Sequence, residues 1–143
     1  MIFTGIVLIS CNKQGCTDSF ALNFEKSART DDGSCKYKTD LFIGKFTGTD
    51  TCNDGSIVNE ELVINHVETS EDRIIFQATT RFAISPYAIA NGNDLTIPSQ
   101  TVSSALISVN IIGSGRVDGN QLTVSYVLTE AGQQTTCGFT GTK

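Results

Sequence analysis

The sequence predicts an all-β chain: an antiparallel meander of seven or eight short strands, closed as a barrel or folded over as a β-sandwich. Three observations carry this expectation. Thr, Ile, Val and Ser abound while strong helix formers are scarce, a balance that suits pleated, half-buried strands. Short alternating runs are separated by Asn, Asp and Gly clusters with hairpin chemistry. No segment keeps a helical period over a convincing length.

The elements follow in order. A first strand is expected over 41–48, where Gly44 and Gly48 permit a bend or bulge. Asn53, Asp54, Gly55 and Ser56 supply a turn, and a second strand over 57–66 places Leu62 and Ile64 on one face and Glu61 and Asn65 on the other. After a polar connection at 68–72, a third strand over 73–82 turns Ile74, Phe76 and Ala78 the same way. Residues 83–90 contain Pro86 and read as an edge or loop, because proline cannot donate to a ladder. A turn at 91–94 leads to a short strand at 95–100. Residues 105–117 alternate Ile107, Val109 and Ile111 against Ser108 and Asn110, with a kink expected at Gly113, Ser114 and Gly115. A hairpin at 118–121 opens the strand 122–128, whose Leu122, Val124, Tyr126 and Leu128 form the cleanest period-two pattern in the chain. A last turn at 130–133 precedes the final strand, 135–142.

The length of 143 residues fits one domain of ordinary size plus a tail, and a 39% hydrophobic content is that of a globular chain. A formal net charge of -5 and a pI near 4.7 argue against nucleic acid, whose phosphates call for clustered Lys and Arg. Here the basic residues are scattered, with no denser run than Lys36-Tyr37-Lys38.

The cysteines point to export. Five is an odd number, and an odd thiol in a secreted chain needs an explanation. The stretch Leu8-Ile9-Ser10-Cys11, after the apolar run 2–7, resembles a bacterial lipobox. The resemblance implies that residues 1–10 are a lipoprotein signal peptide and that Cys11 becomes the diacylated N-terminus. No Lys or Arg precedes Cys11, although such leaders carry a basic region, and the competing reading is a buried first strand. With Cys11 as lipid carrier, Cys16, Cys35, Cys52 and Cys137 form an even set with three possible connectivities. Their positions suggest Cys16 with Cys35 in the tail and Cys52 with Cys137 across the domain, each stabilising by about 3–5 kcal/mol.

Residues 11–40 would then comprise the anchor, a polar tether at 12–15 and a small closed module. Residues 15–37 resemble a module of secreted proteins from marine Bacteroidetes, of the form GCTDxxAxNYxxxAxxDDGSCxY, with Phe24 at the usual Tyr. That resemblance implies a Cys16–Cys35 disulfide and an extracytoplasmic location, and no particular activity. Asp31, Asp32, Gly33 and Ser34 have turn chemistry, and Phe20, Ala21, Leu22 and Phe24 offer a small apolar cluster. The sharper alternative is a Ca2+ site using the oxygens of Asp18, Asn23, Asp31 and Asp32. The loop lacks EF-hand spacing and a closing Glu, so the structural turn ranks first and no cofactor is otherwise expected.

The remaining domain, 41–143, is similar to the small lipocalin-like domains of Bacteroidetes lipoproteins. The likeness rests on Phe42, Gly44, Phe46 and Gly48, on Leu-Thr-Ile-Pro at 95–98, on Gly113-Ser114-Gly115 and on Thr140, Gly141 and Lys143. It implies a barrel, whose closure a Cys52–Cys137 bond would favour, and a small hydrophobic ligand as possible cargo.

Catalysis finds no constellation. His66 is the sole histidine and is expected at the surface of a strand end; no Gly-x-Ser-x-Gly elbow, P-loop or dinucleotide fingerprint occurs. Glu60 and Glu61 are adjacent and so point to opposite faces of a strand, which suits a solvated edge better than a carboxylate pair. The expected role is therefore non-enzymatic. It is a lipid-anchored protein of the outer membrane, facing periplasm or surface, with a structural or interaction role alongside an envelope partner. The alternative is a barrel that binds a small hydrophobic ligand; a bound apolar molecule would favour it, and a solidly packed core with an exposed apolar patch would favour the structural role.

Overall fold

A computed structural model describes residues 12–77, 83–105 and 107–143. Two compact units divide the chain, Met1–Lys36 and Tyr37–Lys143. The expected lipidation site, Cys11, and residues 1–10 lie outside the described residues.

The second unit is a closed eight-stranded barrel, not a sandwich. Its strands are β1 (Gly44–Cys52), β2 (Ile57–His66), β3 (Arg73–Phe76), β4 (Tyr87–Asn91), β5 (Asp94–Ser103), β6 (Ser108–Asp118), β7 (Gln121–Glu130) and β8 (Gln133–Thr142). Each pairs antiparallel with the next, and β1 pairs with β8 to close the sheet. No helix occurs among the described residues. Period-two alternation drives the closure: Phe46, Leu62, Ile64, Leu122 and Val124 point inward and are buried, and a closed sheet leaves no edge to solvent.

The seam between β1 and β8 depends on a missing side chain. Gly48 faces Gly141 in register, and a Cβ on Gly48 would lie 2.1 Å from the Thr140 carbonyl oxygen. Four residues on along this seam, two rungs beyond the Asp50–Phe139 pair, Cys52 faces Cys137, and the two are disulfide-bonded. By the loop-entropy model a bridge of 85 residues' separation contributes about 4.6 kcal/mol.

Several boundaries differ from the expected ones. The first strand begins at Gly44, because residues 39–42 form a turn in which Phe42 N–H donates to the Thr39 carbonyl, burying Phe42 in the core. Residues 83–90 are not simply an edge or loop. Pro86 stops short of the first paired residue of β4, so its missing N–H is not needed, and its carbonyl accepts from Phe76. The third strand, expected over 73–82, is paired through Phe76, and residues 78–82 lie outside the described residues. β5 runs on to Ser103 through a register shift between Ile97 and Gln100, which accommodates Pro98.

Gly113 and Gly115 do not end β6, which continues unbroken to Asp118. Gly113 pairs with both Ile97 and Tyr126, and a Cβ there would stand 2.5 Å from the Ser125 carbonyl and 2.8 Å from Tyr126 Cβ. The glycine makes room for Tyr126.

The N-terminal unit is tied by the Cys16–Cys35 disulfide and a bridge between Gln14 and Thr30. Its buried residues include Cys16 and Ala21, but Phe20, Leu22 and Phe24 remain exposed. The expected apolar cluster is thus mostly unburied, since a segment this short has too little chain to cover it.

Candidate functional site

The barrel interior is divided by chemistry. One end holds Phe42, Phe46, Ile64, Ile74, Leu95 and Leu122, all buried in close packing. The other holds a void lined by Asp50, Glu60 and Tyr126 together with Leu62, Phe76, Ile84, Pro86, Ile97, Ile111, Val124 and Phe139. The void measures about 50 Å3. At the ~10–15 Å3 that one water-sized group needs, the void admits several such groups.

Strand register brings the polar groups together. Glu60 on β2 faces Gly48 on β1, so Asp50, two residues further on, is its diagonal neighbour on the inward face. Tyr126 on β7 faces Cys137 on β8, which in turn faces Cys52, one inward step beyond Asp50 on β1. From two strands away the Tyr126 hydroxyl donates to Asp50 Oδ2. Asp50 is 1% exposed, and its Oδ1 has no hydrogen-bond partner among the described residues. A buried acceptor left without a donor costs about 1–3 kcal/mol, so the site carries a standing demand for an N–H or O–H group.

A carboxylate oxygen of Asp50 and the sulfurs of Cys52 and Cys137 lie within 4.8 Å of one another. The sulfurs are bonded to each other, so this trio offers no thiolate to a metal ion.

Glu60 is a correction to the sequence reading. It is buried, in phase with Leu62 and Ile64, while Glu61 points outward and pairs with Lys45 at 2.9 Å. The two do face opposite ways, but β2 has no edge, so one of them must enter the lumen. His66 is also corrected: it is half-buried, with Nδ1 2.9 Å from the Thr39 hydroxyl and the Tyr37 ring tilted against it, centroids 4.2 Å apart. The chain leading into β1 covers it.

In the N-terminal unit, a side-chain oxygen of each of the four residues considered for Ca2+ accepts from a backbone N–H. Asp18 accepts from Phe20 N–H, Asp31 from Gly33 N–H and Asp32 from Ser34 N–H. Asn23 donates to the Ser34 carbonyl at 2.7 Å and accepts from Lys36 N–H at 2.8 Å, so both ends of its amide bind backbone. Those of Asp31 and Asp32 are the bonds of the expected turn. Hydrogen bonds from the Ser34 side chain and backbone hold the Asp32 carboxyl below its ordinary 3.8. Ser27, and then Lys13 at 3.2 Å, do the same for Glu25 against its ordinary 4.5.

Sequence reasoning found the two cysteine pairs and missed Asp50, Glu60 and the role of Tyr126. The available signal was phase: each acid sits at an even spacing from inward apolar residues of its own strand.

No protein-family model matches the chain, and no curated protein matches it either. Solved structures do share the fold. One, EF1p2_mFAP2b bound to DFHBI, is 13% identical with a TM-score of 0.56, over 74% of this chain and 96% of that one. Another, a redesigned β-barrel, is 15% identical with a TM-score of 0.51, over 74% of this chain and 95% of that one. The chain is therefore, by fold, a small closed antiparallel barrel.

Proposed function

We propose that the protein binds a small, largely apolar molecule in the barrel lumen and is held at a bacterial envelope by lipid on Cys11. The observation that carries the first part is the void itself: apolar on most sides, with a buried acid at one margin presenting an unsatisfied oxygen. Sites of this kind, apolar walls with a few placed polar groups, are typical of small-molecule pockets. The solved relative in fold, EF1p2_mFAP2b, is itself bound to a small molecule, DFHBI. Both observations support a ligand-carrying role over a purely structural one, and no catalytic step is assigned. Two disulfides favour an oxidising compartment outside the cytoplasm, in keeping with the lipobox.

Native mass spectrometry of protein taken from its own membrane tests both parts. The expected spectrum shows a chain beginning at a diacylated Cys11 and carrying a non-covalent small molecule. That molecule should be lost from a Val124→Phe variant, whose ring fills the lumen. A bare chain with an empty lumen would refute the ligand reading, and an unacylated chain retaining residues 1–10 would refute the anchor.

A further inference from the structure

We infer that the lumen selects amines: molecules with a compact apolar body and a protonated nitrogen that donates to Asp50. The inference rests on the lumen being a ligand site and adds the chemical class of what it takes. Asp50 Oδ2 already accepts from Tyr126, while Oδ1 has no partner among the described residues and the side chain is almost wholly buried. A ligand carbonyl or ether would present a second acceptor and leave that oxygen unsatisfied, whereas an N–H satisfies it. Charge points the same way. Asp50 is an acid at the margin of the void and is almost wholly buried. Its charge is weakly screened there, so a cation is attracted to it and a carboxylate repelled. An ammonium hydrogen bond to a carboxylate is also of the stronger, charge-assisted kind. The rest of the wall, including Leu62, Ile97, Val124 and Phe139, offers only apolar surface, which calls for a hydrocarbon body behind the nitrogen. The positively charged end and the apolar end of the ligand are therefore both prescribed.

Calorimetric titration of the whole protein with three probes of similar size tests this: ethylbenzene, 2-phenylethylamine and phenylacetate. The amine should bind at least about tenfold more tightly than ethylbenzene, as one charge-assisted hydrogen bond allows, and phenylacetate should not bind. In Asp50→Asn the amine's advantage should vanish while ethylbenzene binding persists. Tyr126→Phe, which frees the second oxygen of Asp50, should keep or widen the advantage and serves if the Asn variant fails to fold. Equal affinity for ethylbenzene and the amine, binding of phenylacetate, or loss of amine preference in Tyr126→Phe would overturn the inference and leave the lumen reading standing. Failure of all three probes to bind would overturn the lumen reading, and the inference with it.

Discussion

Removing the Tyr126 hydroxyl should cost more stability than removing the whole Tyr126–Asp50 interaction. In Tyr126→Phe, Asp50 keeps its burial and loses the one hydrogen bond seen on its carboxyl group. Hydrogen bonds to charged groups are worth about 1.5–3 kcal/mol, and the orphaned acceptor adds to the loss rather than offsetting it. For a barrel of just over 100 residues each kcal/mol moves Tm by about 4 °C. The single variant should therefore melt roughly 6–12 °C lower. In the double variant Asp50→Leu, Tyr126→Phe, both polar partners are gone. The larger leucine then extends into a void that can hold it, and replacement of a buried polar pair by apolar groups is close to neutral or stabilising. Its Tm should return to within about 4 °C of the parent or exceed it. The assay is thermal unfolding by circular dichroism with both disulfides intact. A double variant as unstable as the single one would refute the reasoning, because Asp50 would then be a structural prop and not an acid kept in the lumen at the expense of stability.

Further outcomes follow from the same geometry. Replacing Cys52 and Cys137 together by Ala should lower barrel stability by about 4.6 kcal/mol, the chain-entropy value for an 85-residue separation, as read from urea unfolding; a loss under 1 kcal/mol would contradict it. Gly113→Ala forces a methyl to 2.5 Å from a backbone oxygen, so it should cost at least about 1–3 kcal/mol and shift the NMR signals of Tyr126. In the N-terminal unit, Asp32 and Glu25 are held below their ordinary values when folded. Their contribution is thus complete above the unfolded values near 3.8 and 4.5 and is lost as pH falls through the lower folded ones. Carbon-detected NMR titration should find both carboxyls ionised at pH values where the denatured chain is half-protonated.

Much of the fold was legible because one face of nearly every strand must be apolar. β2 was placed at its observed bounds: Leu62 and Ile64 set its phase, and a Gly-containing turn and a polar connection bracket it. The Leu122–Leu128 alternation located β7 for the same reason, though the ladder runs on to Glu130. Local pattern gave out where tertiary contacts decide. Phe42 is apolar and in phase with a strand, yet it turns in over the end of the barrel. Gly113 has the composition of a break, but it is in fact a point of close approach between β6 and β7. Asp50 and Glu60 were hidden by the same rule that made the strands visible, since polarity at an inward position reads as outward until the register fixes the face. Only closure of β1 onto β8, with β7 beyond, brings Tyr126 to Asp50 across 76 residues of sequence.

The central claim, that the lumen is a binding site, is tested most directly by intermolecular NOEs from ethylbenzene in a protein with labelled methyl groups. The account predicts NOEs from the probe to Leu62, Ile97 and Val124, which line the void, and their disappearance in Val124→Phe. NOEs confined to outward-facing Ile57 and Ile112, or none at all, would contradict it.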